Sequence, residues 1–318
     1  MNPAACSICQ NAAGNRRHTA REMMFGFRDP FTYLECGQCG CLQLLDPPAD
    51  LAKYYPANYY SFQPHGPLKT FLRRQWAGYT LRGGHPLGWL VNQLNGDNHA
   101  MKAVRRARLQ PSASILDVGC GDGHLIQDLR HLGFARVAGA DPYIAQELHH
   151  PGGVTVFKKQ LGELSGRFDV IMLHHSYEHM ERPGEVMQQL GRLLAPDGLV
   201  MICIPVAGSY AWRHYGVNWV NLDAPRHFFL HTPRSIGLLA ERAGLRVVET
   251  FFEGNEGQFM ASEDYQRDLP LCRPRPRGAA VLERFTARRR LRELRAQADE
   301  LNRKGEGDWA CFHLRTAG

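Results

Sequence analysis

The chain has 318 residues, 44% of them hydrophobic and 22% charged, with a formal net charge of +7. That balance is globular, the length allows one large core plus an accessory module, and no run approaches the roughly 18 apolar residues of a membrane helix. The N-terminal Met-Asn-Pro-Ala-Ala-Cys has no basic region leading into an apolar core, so a cytoplasmic protein without a secretory signal is expected, and the positive charge permits an anionic partner without requiring one.

Nine cysteines are an odd number, and four of them form the pairs Cys6-Ser7-Ile8-Cys9 and Cys36-Gly37-Gln38-Cys39. Each pair can place two thiolates on one tetrahedral ion, and the aromatic-rich stretch between them suits a β-hairpin. Residues 1–46 therefore read as a ribbon built on structural zinc, with Cys6, Cys9, Cys36 and Cys39 as ligands. Cys41 reads as a small apolar residue on the outgoing strand. Metal binding explains this cysteine usage better than a disulfide framework does. Residues 47–110 form a linker and helical cover. The linker holds Tyr54, Tyr55, Tyr59 and Tyr60; Tyr59 and Tyr60 are candidate substrate contacts, with plain packing as the competing reading.

From Ser114 a short apolar run ends in an acid and enters Asp117-Val118-Gly119-Cys120-Gly121-Asp122-Gly123, followed by an amphipathic run from His124. The order reads as buried strand, tight loop, helix. The spacing is G-x-G-x-G, not the G-x-G-x-x-G of a dinucleotide fingerprint. Asp117 would repel a pyrophosphate but suits an ammonium group. A second strand, 136–140, ends at Asp141, placed to accept hydrogen bonds from both hydroxyls of a ribose; Pro142 then suits the first position of a helix. A third strand, 154–157, precedes Gln160-Leu161. The fourth, 168–173, runs into His174-His175-Ser176-Tyr177-Glu178-His179. A helix with an apolar stripe at 186–194, a Pro196-Asp197-Gly198 turn and a fifth strand, 199–204, follow. Alternating strands and helices predict an α/β, doubly wound parallel sheet.

The Asp117–Gly123 loop and the later strand, Glu-His pair, helix and P-D-G turn closely resemble class I S-adenosylmethionine-dependent methyltransferases over residues 112–253. The resemblance implies a Rossmann-like, seven-stranded sheet over 111–318. It implies S-adenosyl-L-methionine held by Asp117, Gly119, Cys120, Gly121, Asp141, Pro142, Gln160, Leu161 and His174. The candidate sites fall at strand ends, where ligands of such sheets bind. Residues 206–231 form a long loop rich in aromatics, and 254–307 a second insertion before an antiparallel last strand at 309–314. The run Asp223-Ala224-Pro225-Arg226-His227 resembles a subgroup linked to glycan and secondary-metabolite pathways, including sugar C-methyltransferases, several of which carry a similar cysteine ribbon.

Methyl transfer to a hydroxyl or a carbon acid needs a base. His227 and His179 are the candidates, with Glu178 as orienter or second base, and Tyr177 and Arg226 as further substrate contacts. The expected function is O- or C-methylation of a small-molecule, sugar or glycan acceptor. The competing readings are an RNA methyltransferase that grips with the ribbon and an arginine-rich helix at 281–303, and a non-catalytic cofactor-binding protein. Enzymes that methylate base amines usually carry Asn, Asp or Ser before Pro-Pro and an aromatic; His-His-Ser-Tyr in that place counts against nucleic acid. The leucine stripe of the same helix also allows a homodimer.

Overall fold

The computed structural model describes residues 5–56, 66–273 and 282–318; Tyr59 and Tyr60 lie outside them. In chain order, β1 (Arg16–Arg21), β2 (Pro30–Glu35) and β3 (Leu42–Leu44) lead into helices α1 (Pro67–Arg82), α2 (Pro86–Asn95) and α3 (His99–Ala107). Then come β4 (Ser114–Val118), α4 (His124–His131), β5 (Arg136–Ala140), β6 (Leu148–His150), β7 (Val154–Phe157), β8 (Phe168–His174), α5 (Pro183–Leu193) and β9 (Leu194–Pro205). The remainder is α6 (Tyr210–Tyr215), β10 (Phe229–Leu230), α7 (Pro233–Arg242), β11 (Leu245–Phe252), α8 (Gly257–Gln266), α9 (Leu282–Lys304) and β12 (Trp309–Thr316).

An eight-stranded sheet has the order β11-β12-β9-β8-β4-β5-β7-β6. β4 runs parallel to β5 and to β8, and β5 parallel to β7. Its strands are near-continuous apolar runs, as strands covered on both faces must be; Ile115, Leu116, Ile171, Met172 and Leu173 expose nothing. Six of the eight strands fall where the sequence places them, and β11 completes the seven that the resemblance implies. The eighth, β6, pairs antiparallel with β7 and replaces the helix expected from Pro142. Pro151-Gly152-Gly153 leaves only eight residues after Pro142, too few for a stable helix against those breakers. The Pro196-Asp197-Gly198 turn lies inside β9, with Asp197 at φ 59°.

The second sheet has the order β1-β2-β3-β10. β1 and β2 form the expected hairpin between the two cysteine pairs, in register from Arg16–Glu35 to Arg21–Pro30. β10, from the distant 206–231 segment, pairs antiparallel with β3. Five aromatics of that segment, Trp212, Tyr215, Trp219, Phe228 and Phe229, are buried, so it is a packed part of the core and not an open loop. Cys203 and Cys311 form a disulfide, one pair for which metal binding does not account.

The chain divides into two compact units. One comprises 1–54, 178–184 and 203–312, and the other 55–177, 185–202 and 313–318.

Candidate functional site

The glycine loop lies in the second unit. Gly119, Gly121 and Gly123 all have positive φ, 71°, 53° and 74°. A Cβ on Gly119 would lie 2.5 Å from that of Ser176, and one on Gly123 would lie 2.6 Å from Val156 Cγ2. Ser176 Oγ donates to the Val118 carbonyl at 2.7 Å, fixing the loop after β8 against the end of β4. Asp141 Oδ2 accepts the Gly121 N–H and Oδ1 the Tyr143 N–H, each at 2.9 Å. Each oxygen keeps a second lone pair for a ligand hydroxyl. Asp117 is buried, and burial, followed by the charge of Asp141, pushes its carboxyl up to about 8.

The other predicted cofactor contacts are less uniform. Cys120 packs on Gly139, where a Cβ would lie 2.4 Å from its Sγ. Pro142 and His174 are half-buried and Leu161 is buried. Gln160 is exposed, and its N–H donates to Glu163 Oε2 at 2.7 Å while its carbonyl accepts the Glu163 N–H at 3.0 Å.

In the first unit, Glu178, His179 and His227 bring a carboxylate oxygen and two ring nitrogens within 4.8 Å of one another. His179 Nδ1 donates to the Arg226 carbonyl at 2.9 Å, and His227 Nδ1 to the Asn221 carbonyl at 2.8 Å. A carbonyl only accepts, so each ring carries a hydrogen on Nδ1. His227 Nε2 lies 3.9 Å from Glu178 Oε1 and 3.8 Å from Asp223 Oδ2. Burial, with His179 beside it, outweighs those carboxylates and pulls His227 down to about 4.

Arg226 and Tyr177, read as substrate contacts, are both wholly buried. The Arg226 guanidinium donates to Asp223 at 2.5 and 2.9 Å, to Glu22 at 2.9 Å and to the Tyr54 carbonyl at 3.1 Å. Burial works against the charge of Asp223, but Arg226 holds its carboxyl below the usual range. Arg226 therefore positions the His227 turn. Glu22, Tyr33 and Asn221 were not legible as partners. Glu22 also accepts the Phe25 and Phe27 N–H groups, at 3.0 and 2.9 Å, and Tyr33 donates to the His227 carbonyl at 2.8 Å. Nothing local in the sequence pairs position 22 with position 226.

Also in the first unit, Sγ of Cys6, Cys9, Cys36 and Cys39 lie within 4.8 Å of one another. The Gln38 and Cys39 N–H groups both donate to Cys36 Sγ at 3.4 Å. Cys41 is buried and outside the four. On α9, Arg289 pairs with Glu293 and Arg295 with Glu256, at 2.8 and 2.9 Å, and Arg290 meets Glu263. Much of that positive charge is thus neutralised within the protein.

Residues 94–250 match the family model of a methyltransferase domain. The chain is 28% identical over 149 residues to a ubiquinone biosynthesis O-methyltransferase of Azorhizobium caulinodans, covering 43% of this chain and 56% of that protein. It is 36% identical over 114 residues to the Nitrosococcus oceani protein of the same name, covering 32% and 44%. The chain thus spans about half the length of these curated relatives. A SAM dependent methyltransferase structure from Archaeoglobus fulgidus is similar with TM-score 0.43 and 19% identity, covering 72% of this chain and 98% of that one. Residues 94–250 thus form a methyltransferase domain.

Proposed function

We propose that the protein transfers a methyl group from S-adenosyl-L-methionine to a hydroxyl oxygen of a small-molecule acceptor. The observation that carries the reading is the glycine loop tied to Asp141, in a chain whose matched relatives are named as O-methyltransferases. Cβ atoms at Gly119 and Gly123 would collide with Ser176 and Val156, so the loop takes its tight path beside Asp141 only with glycine at those positions. Asp141 accepts from the ribose hydroxyls, and Asp117 faces the cationic amino-acid part; Cys120, Pro142, Leu161 and His174 complete the contacts. Gln160, exposed at the start of the following turn, adds a polar contact to the adenine edge.

The bound cofactor supplies a methyl group on a sulfonium, already activated for displacement. The chain's residues therefore align the reactants and manage the acceptor's proton. Glu178, His179 and His227 form the proton-accepting cluster, with Nε2 of His227 fixed as an acceptor by its Nδ1 hydrogen bond. Arg226 acts through position, holding Asp223 and the carbonyl that orients His179. Cys6, Cys9, Cys36 and Cys39 hold one structural zinc, with no open coordination position for chemistry.

Phenolic and sugar hydroxyl acceptors, incubated with methyl-labelled cofactor, test the reading. A labelled methyl ether is expected. Label on carbon or nitrogen, or no transfer while the cofactor binds, contradicts it.

A further inference from the structure

We infer that the α1–α2 hairpin of the second unit is a docking surface for an anionic lipid bilayer, on which it lies without spanning it. Exposed apolar side chains concentrate there. Of the twelve large hydrophobic residues left exposed among the described ones, six fall between Leu68 and Leu94. Leu68 and Leu94 are 70% and 71% exposed, and Trp89 is 50% exposed. Leu87, Leu90 and Leu94 follow at steps of three and four, which puts them on one face of α2. Gly88 and Val91, on another face, are buried. The two helices close tightly on each other. A Cβ on Gly88 would lie 2.1 Å from the Gln75 carbonyl oxygen, and Trp76 Nε1 donates to Asn92 Oδ1 at 2.9 Å. The leucines are thus held outward by a packed element, and clustered exposed apolar side chains on a globular domain mark an interaction surface.

Charge selects the partner. Residues 51–96 contain no aspartate or glutamate. Residues 66–109, from the start of α1 to just past α3, hold eight lysines and arginines against one acid, Asp97, a net of +7 that equals the net charge of the whole chain. Arg73 and Lys102 pair with Asp128 and Asp97. Lys69, Arg82, Arg105 and Arg108 are exposed. Arg82 donates to the Leu132 carbonyl and Arg105 to the Thr80 carbonyl, partners that leave the charge of each guanidinium uncancelled. Cations beside exposed Leu, Phe and Trp make up a segment that lies in a membrane interface, its apolar side chains at the acyl boundary and its cations among anionic headgroups. A nucleic acid would use the cations and leave the leucines without a role. With 16 and 10 residues, α1 and α2 fall short of the ~20 that cross a bilayer.

The surface goes beyond the methyl-transfer reading and stands independently of it.

The test is co-sedimentation of the full chain with vesicles of mixed phosphatidylglycerol and phosphatidylcholine, beside vesicles of phosphatidylcholine alone. Binding to the anionic vesicles is expected, at least ~tenfold tighter than to the neutral ones and weakened by high salt, which screens exposed charges. The double variant Leu90→Gln/Leu94→Gln should bind at least ~tenfold more weakly, the scale of leaving two leucines out of the apolar phase. Circular dichroism checks that it folds, and the comparison of the two vesicle compositions needs no variant. Absence of binding to the anionic vesicles overturns the proposal. So does equal binding to both compositions, or unchanged affinity in the double variant. RNA bound in place of vesicles, or a dimer that the double variant dissociates while vesicles stay unbound, gives the surface another occupant and also overturns it.

Discussion

Asp117 and Asp141 occupy neighbouring strand ends yet differ in environment. Asp141 is hydrogen-bonded at both oxygens, and Asp117 is held near 8 by burial and by Asp141's charge. Between its ordinary value and about 8 the folded protein keeps a proton on Asp117 that the unfolded chain releases. Stability of the unliganded protein should fall as pH rises through that window, because the folded state there binds more protons. A cationic ligand favours the ionised form, so affinity for S-adenosyl-L-methionine should rise between pH 6 and 8, with proton release below about 8. Calorimetry in buffers of different ionisation enthalpy measures that release, and pH-independent affinity would remove Asp117 from the ammonium site. Arg226 makes a prediction of another kind. Arg226→Leu leaves Glu22 and Asp223 facing each other without their cation, a loss expected to cost about 3–5 kcal/mol. Denaturant unfolding measures it; a loss below about 1 kcal/mol would show that the guanidinium is dispensable.

At the scale of elements, the glycine loop is a joint between β4, α4 and the turn after β8. Gly119→Ala puts a Cβ 2.5 Å from Ser176 at a φ of 71°. The variant should be destabilised by about 1–3 kcal/mol and bind cofactor at least ~tenfold more weakly. Thermal melts and calorimetry read the two effects separately, and wild-type affinity would mean the loop has slack. The sheet was largely legible in the sequence because buried parallel strands are short apolar runs punctuated by Gly and Pro. Ile115–Val118 and Val170–Leu173 announce themselves in that way. β6 was not legible: Leu148-His149-His150 has no period, and its strand character comes only from pairing with Val154–Val156. The candidate site shows the same division. Asp141 and the Glu178-His179 pair stand out by position after a strand. Glu22 reaches Arg226 across 204 positions of sequence, and Tyr33 reaches the His227 carbonyl across 194; such partners are specified by tertiary packing alone.

For the whole molecule, the N-terminal cysteine ribbon is continuous with later chain. β10 extends its sheet, Thr232 Oγ1 donates to the Cys39 carbonyl at 2.6 Å, and Glu22 and Tyr33 hold the segment around His227. A small ribbon draws its folding energy from its metal. With zinc on the four cysteines, as proposed, chelating it should loosen the Arg226–His227 segment as well as the ribbon. Hydrogen exchange should show protection lost at Phe228–Leu230 together with Leu42–Leu44; protection retained at both would contradict a structural metal. Among the described residues no helix is long and apolar enough to cross a membrane.

The measurement closest to the central claim is calorimetric titration of the full chain with S-adenosyl-L-methionine, beside the Asp141→Ala variant. One site per chain is expected, with affinity reduced by roughly tenfold or more in the variant, the effect of about one good hydrogen-bonding partner. No binding to the wild-type protein, or equal affinity in the variant, would contradict the account.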